Sequence, residues 1–240
     1  MILWDVRTGA AEHRMQRGAG EAWTIAFTAD GAHVASGMGD GSIDVFDATT
    51  GVWLRTSGED GDDDYLHCMS FSPTAISMLA TVTADDTIHV WDIDSGVMIR
   101  EIEGCCMFAI FSPDGRTIAT ACSGNLRDVQ LIDAESGEMR YRMVGHTRAV
   151  YTASWCPYDG SKLASGGEDG TCKVWDSATG ELLRSINIGR RVASVVWGRD
   201  WVRDTQGAMA FAMGHHPRLG AESQVLELEA GVVRMILDRV

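Results

Sequence analysis

Short apolar runs bounded by turn residues recur along the whole chain. The clearest set lies between Gly145 and Ile188 and consists of VYTASW (150–155), KLAS (162–165), TCKVWD (171–176) and ELLRSI (181–186). Each run is rich in β-branched or aromatic residues and is bounded by glycine, proline or aspartate, which predicts four antiparallel strands joined by hairpin turns. The middle runs lack clean polar alternation, so we expect sheets that are buried on both faces.

A second pattern marks the end of the third run in each unit. An apolar residue is followed by an acid and, five positions after the apolar residue, by a glycine; this occurs six times at spacings of 41 to 51 residues. The six pairs are Trp4-Asp5, Phe46-Asp47, Trp91-Asp92, Ile132-Asp133, Trp175-Asp176 and Leu226-Glu227. A period in the forties with four strands per unit predicts an all-β propeller.

The register of these units predicts a single propeller domain over residues 1–240. It contains a half blade at the N-terminus and five full four-stranded blades, at about 1–17, 18–58, 63–103, 104–144, 145–188 and 189–240. Propellers close in order to remove free sheet edges, and this count falls two strands short of a six-bladed ring. We expect either an incomplete seven-bladed ring, from a truncated chain, or a partner that completes the open propeller. A six-bladed closure with one thin blade is the third option.

The motifs resemble those of the WD-repeat family, and the resemblance covers nearly the whole chain. In that family a buried network links the histidine of a Gly-His pair, a Ser or Thr of the second strand, an Asp of the next turn and the Trp of the third strand. The resemblance implies such networks at His146, Ser165, Asp169 and Trp175 and, without the histidine, at Thr81, Asp85 and Trp91. Buried His and Asp side chains require partners, which the network supplies. A catalytic acid–base pair of His146 and Asp169 is the alternative, but no nucleophile stands at a matching spacing.

The resemblance also implies where a partner binds. In such propellers the loops before the first strand and between the second and third strands line one rim. The large or charged residues at these positions are Glu21, Tyr65, Glu168 and Arg191. Tyr and Arg are frequent energetic anchors of interfaces, so we take these four as a candidate partner-binding rim. The alternative is that each is an ordinary exposed loop residue.

Composition narrows the classes of partner. The net charge of −14 disfavours direct nucleic-acid binding, which depends on clustered Lys and Arg. Basic surfaces of other proteins are plausible partners, although the charge could instead keep the protein soluble and monomeric. No apolar run approaches the roughly 20 residues of a membrane span, and no signal stretch opens the chain. The six cysteines lack CxxC spacing, which favours a reduced, cytoplasmic or nuclear protein.

Motifs of catalysis and metal binding are weak. The chain has no GxSxG, P-loop, GxGxxG or HExxH motif, so we expect no enzyme activity and no cofactor. Asp60, Asp62 and Asp64 have the spacing of a calcium loop, but Tyr65 and Phe71 stand where that loop requires Gly and Glu. The pairs Cys105-Cys106 and His215-His216 each lack a second pair of ligands. We therefore expect no metal site.

Two functional classes fit these observations. EAWTIAF (21–27) and SGMGDGSIDVFDATTG (36–51) resemble the matching repeat of the WD-repeat subunit shared by the superkiller and polymerase-associated-factor complexes. This resemblance implies a non-catalytic scaffold subunit that mediates protein–protein interactions within a multiprotein complex of RNA decay or transcription elongation. The alternative is an adaptor that docks peptides transiently, in association with ribosomes, cilia or ubiquitin ligases.

Overall fold

The computed structural model describes residues 1–15, 17, 20–58, 65–103, 106–122, 127–197, 209–210, 223–227 and 233–238. Within these ranges every helix or strand is a β-strand, and there are 22 of them. None of the described segments forms a helix long and apolar enough to cross a lipid bilayer. Five four-stranded sheets and one two-stranded sheet confirm the all-β architecture of five full units and a half unit.

The strands of the first three sheets are β1 (Ile2–Trp4) and β2 (Ala11–Arg14); β3 (Ala22–Phe27), β4 (His33–Met38), β5 (Ile43–Asp47) and β6 (Trp53–Ser57); and β7 (Leu66–Phe71), β8 (Met78–Thr83), β9 (Ile88–Asp92) and β10 (Val97–Ile102). The strands of the next two sheets are β11 (Cys106–Phe111), β12 (Thr117–Cys122), β13 (Val129–Asp133) and β14 (Met139–Met143); and β15 (Val150–Trp155), β16 (Lys162–Gly167), β17 (Thr171–Asp176) and β18 (Leu182–Asn187). In each four-stranded sheet among these, neighbours in the chain are neighbours in the sheet. This order is the meander that hairpin turns produce.

The last sheet differs from the predicted meander. It contains β19 (Val196–Trp197), β20 (Met209–Ala210), β21 (Ser223–Glu227) and β22 (Val233–Asp238), in the order β19-β20-β22-β21 with β20 and β22 parallel. Both β21 and β22 mix apolar and polar residues, so the hydrophobic pattern alone does not decide which of them lies inside the sheet. The first strand is also shorter than the expected run over 192–197. The Val192 N–H donates to the Gly167 carbonyl at 3.0 Å, which holds the start of that run against the end of β16.

The chain divides into two compact units, one of Met1–Ile118 with Asp133–Glu138 and one of Ala119–Ile132 with Met139–Val240. The core of the first unit includes one cluster that contains Ala35, Val45, Met69, Phe71 and Leu79, and another in which Met1 and Leu3 pack on Met15, Val34 and Phe46. The core of the second unit includes a cluster of Ala164, Cys172, Val174, Val192, Val195 and Trp197. In both units these apolar residues come from successive sheets that pack face to face.

Three motifs of the sequence lie wholly or partly outside the described residues. These are the acidic stretch 59–64, Cys105 and the pair at 215–216. Over the part of the chain that the structure describes, no group of three or more His, Cys, Asp or Glu side chains is arranged to hold a metal ion.

Candidate functional site

The structure brings His146, Ser165, Asp169 and Trp175 together in one hydrogen-bonded chain. Ser165 lies in β16 and Trp175 lies in the neighbouring strand β17, opposite Leu163. The Trp175 indole N–H donates to the Ser165 hydroxyl at 2.8 Å. The same hydroxyl lies 2.8 Å from Nε2 of His146, whose Nδ1 lies 2.9 Å from Oδ2 of Asp169. Gly145 precedes the histidine because a Cβ there would lie 3.0 Å from the indole ring.

The direction of these bonds assigns one protonation state to the histidine. Since the Ser165 hydroxyl accepts from the indole, it is free to donate to His146 Nε2, which leaves the proton of the neutral imidazole on Nδ1 for Asp169. Burial lowers the pKa of His146 and outweighs the opposing attraction of the Asp169 carboxylate. Burial also acts to raise the pKa of Asp169, but hydrogen bonds from Thr147 and Thr171 lower it on balance.

Burial of this pair excludes the acid–base alternative for a dissolved substrate. The side chains of His146 and Asp169 are 0% and 3% exposed, and the oxygens of Asp169 already accept bonds from the Thr147 and Thr171 backbone, the Thr171 hydroxyl and the imidazole. A general base must reach the proton that it abstracts. The network instead joins the loop before β15 to the β16–β17 turn and thereby shapes this rim of the sheet.

In the third repeat the equivalent residues form two separate groups. The Trp91 indole donates to the Thr81 hydroxyl at 3.1 Å, as expected. Asp85 does not join them: it accepts the Thr83 hydroxyl at 2.5 Å and the Thr87 N–H at 3.1 Å. Thr83 occupies the position that Gly167 holds in the fifth repeat, where a Cβ would lie 3.1 Å from Nδ1 of the histidine. The Thr83 hydroxyl therefore takes the place of the imidazole as the partner of the aspartate, and Asp85 is not linked to the Thr81–Trp91 hydrogen bond.

The candidate rim residues Glu21, Tyr65 and Glu168 directly border β3, β7 and β16, whereas Arg191 lies five residues before β19. Three of the four have specific neighbours. The Tyr65 ring stacks on Trp23 with centroids 4.9 Å apart and planes tilted by 30°, and its edge meets His67 at 4.8 Å. Glu168 pairs with Arg148 at 3.2 Å. The Arg191 guanidinium lies over the Tyr151 ring, 4.2 Å from its centroid. The Glu21 side chain is exposed.

Sequence reasoning missed the aromatic residues that these rim residues contact. Trp23, His67 and Tyr151 are each the second residue of a first strand, and each is the extra residue at a β-bulge in its pairing with the second strand. A bulge re-aims a side chain and breaks the alternation on which strand patterns depend. The detectable signal was an aromatic residue or histidine at the same position of three repeats. Gly39 leaves room for the Trp23 indole, because a Cβ at position 39 would lie 3.0 Å from Nε1 of that ring.

Comparison with known proteins agrees with this geometry. The family model described as "WD domain, G-beta repeat" matches residues 13–47, 54–92 and 137–176. The protein has a WD-repeat β-propeller fold. A chain from a crystal structure of the mitotic checkpoint complex matches this WD-repeat fold with a TM-score of 0.72 and 24% identity, over 83% of this chain and 61% of that one. At this identity the structural likeness shows the fold alone.

Curated relatives of this WD-repeat chain include two yeast proteins. The WD repeat-containing protein slp1 of Schizosaccharomyces pombe is 27% identical over 72% of this chain and 36% of the relative. The APC/C activator protein CDC20 of Saccharomyces cerevisiae is 27% identical over 87% of this chain and 34% of the relative. The chain thus spans about a third of the length of these two relatives. These matches correct the expected resemblance to the superkiller and polymerase-associated-factor subunit. That expectation was wrong because it relied on short stretches of a degenerate repeat.

Proposed function

We propose that this WD-repeat protein is a non-catalytic adaptor that docks a segment of another protein through its rim, in the context of a ubiquitin ligase. The observation that carries this proposal is the stacked group of Trp23, Tyr65 and His67 at the start of two first strands. The Trp23 indole is 58% exposed although it packs against the tilted Tyr65 ring. Large rigid rings that are held in place yet open to solvent lose little entropy when they bind a partner.

The second unit supports the same proposal with a different set of groups. Arg191 over Tyr151 and Arg148 beside Glu168 present charged and aromatic side chains at the equivalent ends of strands. Arg and Tyr are enriched among residues that contribute most to interface affinity. The overall charge of −14 favours a docked segment rich in Lys and Arg.

The ubiquitin-ligase context is supported by the names of the relatives. One is an APC/C activator, and another, 26% identical over 83% of this chain, is described as a cofactor of the APC complex in Arabidopsis thaliana. These findings favour the adaptor over the RNA-decay or transcription-elongation subunit that the superkiller resemblance implied. Because the chain covers less than half of each of these relatives, the activity of a whole relative is part of the proposal.

Affinity purification of the tagged chain from dividing cells tests both parts of the proposal. We expect subunits of the APC/C to co-purify, and we expect Trp23→Ala with Tyr65→Ala to reduce the recovery of docked proteins at least tenfold. Tyr158→Ala is the matched control, since this ring is 53% exposed in the turn between β15 and β16. Lack of APC/C subunits would remove the ubiquitin-ligase context. Equal recovery with the rim variant would remove the rim from the interface.

Gel filtration of native extract separates an adaptor from a permanent subunit. A transient adaptor elutes mostly as a species of its own size, whereas a scaffold subunit co-elutes with a large assembly. Complete co-elution that persists in high salt would contradict transient docking and favour the scaffold.

A further inference from the structure

The two ends of the fifth sheet differ in charge. The end formed by the β15–β16 and β17–β18 turns carries three carboxylates, those of Asp159, Asp176 and Glu181, and one lysine, Lys162. The other end, formed by the β16–β17 turn and the loop before β15, is surrounded by arginines. We call them the arginine group, and they are Arg127, Arg148, Arg190 and Arg191. Such a group stands out in a chain whose net charge is −14.

Arg127 and Arg148 are both fixed beside the loop before β15. The exposed Arg127 guanidinium donates to the Thr147 carbonyl. The Ala149 carbonyl accepts the Glu168 N–H at 2.8 Å, so Arg148 lies next to the β16–β17 turn. The Arg148 guanidinium pairs with Glu168 at 3.2 Å, while 63% of its side chain remains exposed. Both guanidiniums are therefore held in place at the surface.

Arg190 and Arg191 border the same turn from the segment before β19. Gly170 leaves room for this segment, since a Cβ at position 170 would lie 3.0 Å from the Arg190 backbone nitrogen. The exposed Arg191 guanidinium lies over the Tyr151 ring, 4.2 Å from its centroid. A guanidinium on an aromatic ring stays charged, and its N–H groups point out from its edges, where an anion can reach them.

The carboxylates at this end do not balance the arginine group. Glu168 is 41% exposed and pairs with Arg148, whereas Asp169 is buried and its oxygens already accept hydrogen bonds. The neighbouring Asp128 has its own cation in Arg142. Four arginines against Glu168 and Asp169 leave an excess of two positive charges, which attracts carboxylates from a partner.

We propose that the arginine group binds an acidic segment of the docked protein, with separate aspartate or glutamate carboxylates at Arg127, Arg148 and Arg191. The inference rests on the docking function proposed above and specifies the charge of the part of the docked segment that lies on the second unit. The preference for basic partners that follows from the overall charge does not extend to this end of the fifth sheet.

Separate carboxylates fit the arginine group better than one phosphate does. Arg127, Arg148 and Arg191 are held by three different neighbours, a carbonyl, a carboxylate and an aromatic ring. They therefore offer separate positions, whereas tight binding of one phosphate requires several cations that converge on it. A guanidinium has five N–H donors, so Arg148 can keep its bond to Glu168 and accept a second carboxylate as partner.

A fluorescein-labelled peptide of ten glutamates tests the proposal on the 240-residue chain. Because the net charge of −14 repels this peptide, binding requires a local cationic site. We expect saturable binding by fluorescence anisotropy in low salt, and about tenfold weaker binding when the salt concentration rises from about 50 to about 300 mM. A labelled peptide of ten glutamines should not bind.

The double variant Arg148→Gln with Arg191→Gln assigns the binding to the arginine group. We expect it to bind the glutamate peptide about fivefold less tightly or worse, because two charges that face the peptide are lost. The matched control is Arg116→Gln with Arg184→Gln, two exposed arginines of the β11–β12 turn and β18, which gives the same net charge. The control should change binding by less than about twofold. Circular dichroism verifies that both variants remain folded.

Several outcomes would overturn the proposal. Absence of saturable binding, or equal binding by the Arg148 and Arg191 variant and its control, would remove the acidic segment. Tighter binding of a peptide with one phosphoserine, or of a ten-nucleotide RNA, would show that the ligand is a phosphate. Self-association that the Arg148 and Arg191 variant abolishes would make a second copy of the chain the occupant. Trp23 and Tyr65 are unchanged in both variants, so failure here is separable from failure of the proposed adaptor function.

Discussion

Removal of one hydroxyl from the second strand should cost a different free energy in each of three repeats. The equivalent residues are Ser165, Thr81 and Ser36, all of which are buried. Ser165 joins an indole and an imidazole, both at 2.8 Å. Thr81 holds one indole at 3.1 Å. Among the described residues the Ser36 hydroxyl bonds to the Met38 sulfur, at 3.6 Å, and Phe46 stands where the third and fifth repeats have Trp91 and Trp175.

The expected magnitudes follow from the number of polar groups left without a partner. A buried donor or acceptor that loses its partner costs about 1–3 kcal/mol. Ser165→Ala leaves two such groups and should lower the free energy of unfolding by about 2–6 kcal/mol. Thr81→Val leaves one and keeps the side-chain volume, so we expect about 1–3 kcal/mol. Ser36→Ala loses only a weak contact to sulfur and should cost about 0.5 kcal/mol or less.

Urea denaturation of the full chain, followed by tryptophan fluorescence and by circular dichroism, measures the series. The midpoint should decrease in the order Ser36→Ala, Thr81→Val, Ser165→Ala at an unchanged slope. Coincidence of the two probes checks that unfolding is cooperative. Equal losses at the three positions, or a largest loss at Ser36, would refute the reasoning that bond count in the network sets the cost.

Four further predictions concern single groups. Because the pKa of His146 is lowered in the folded protein, the histidine stabilises the fold fully above its unfolded pKa of about 6.5, and this stabilisation is lost as the pH falls below that value. The loss is at most about 1.4 kcal/mol per pH unit. Urea midpoints measured from pH 7.5 to 5.0 should show this dependence on pH, and His146→Asn should flatten it. Trp175→Ala should cost roughly 3–5 kcal/mol in a thermal melt, as a core truncation. Burial raises the pKa of the Cys172 thiol to about 12, so native alkylation mapped by mass spectrometry should spare it until urea is added. Gly115→Ala should lower the urea midpoint more than Gly31→Ala does. Both glycines have φ of +70°, but an added Cβ would lie 2.1 Å from Thr74 Oγ1 at position 115 and would have no neighbour within 4 Å at position 31.

The buried network was largely accessible to sequence reasoning, and its variation between repeats was not. A Gly-His pair, a second-strand serine, a turn aspartate and a third-strand tryptophan at fixed spacing were enough to name His146, Ser165, Asp169 and Trp175. Asp85 was grouped with Thr81 and Trp91 by the same spacing. Its actual partners are Thr83 and Thr87, because the Thr83 side chain occupies the space that the imidazole fills in the fifth repeat. The spacing of residues along the sequence does not show which side chain fills that space.

The candidate rim was predicted in part for a different reason. Tyr65 and Arg191 were found by their position before a first strand. Trp23 and Tyr151, on which they stack, lie within runs that predict strands, and neither was singled out as a rim residue. The bulge that turns these rings outward belongs to the pairing of two strands and has no signature within one strand.

The sequence by itself determined the unit of the fold, because short apolar runs, turn residues and a repeating acid–glycine signature are local features that recur with a fixed period. It also predicted the two strands of residues 1–17. Tertiary structure decided which surfaces those strands leave exposed. Ile25 and Phe27 are as apolar as Met69 and Phe71, and only the packing of successive sheets makes one pair exposed and the other buried. Burial depends on what lies across the interface, and the hydrophobic pattern of a strand does not contain that information.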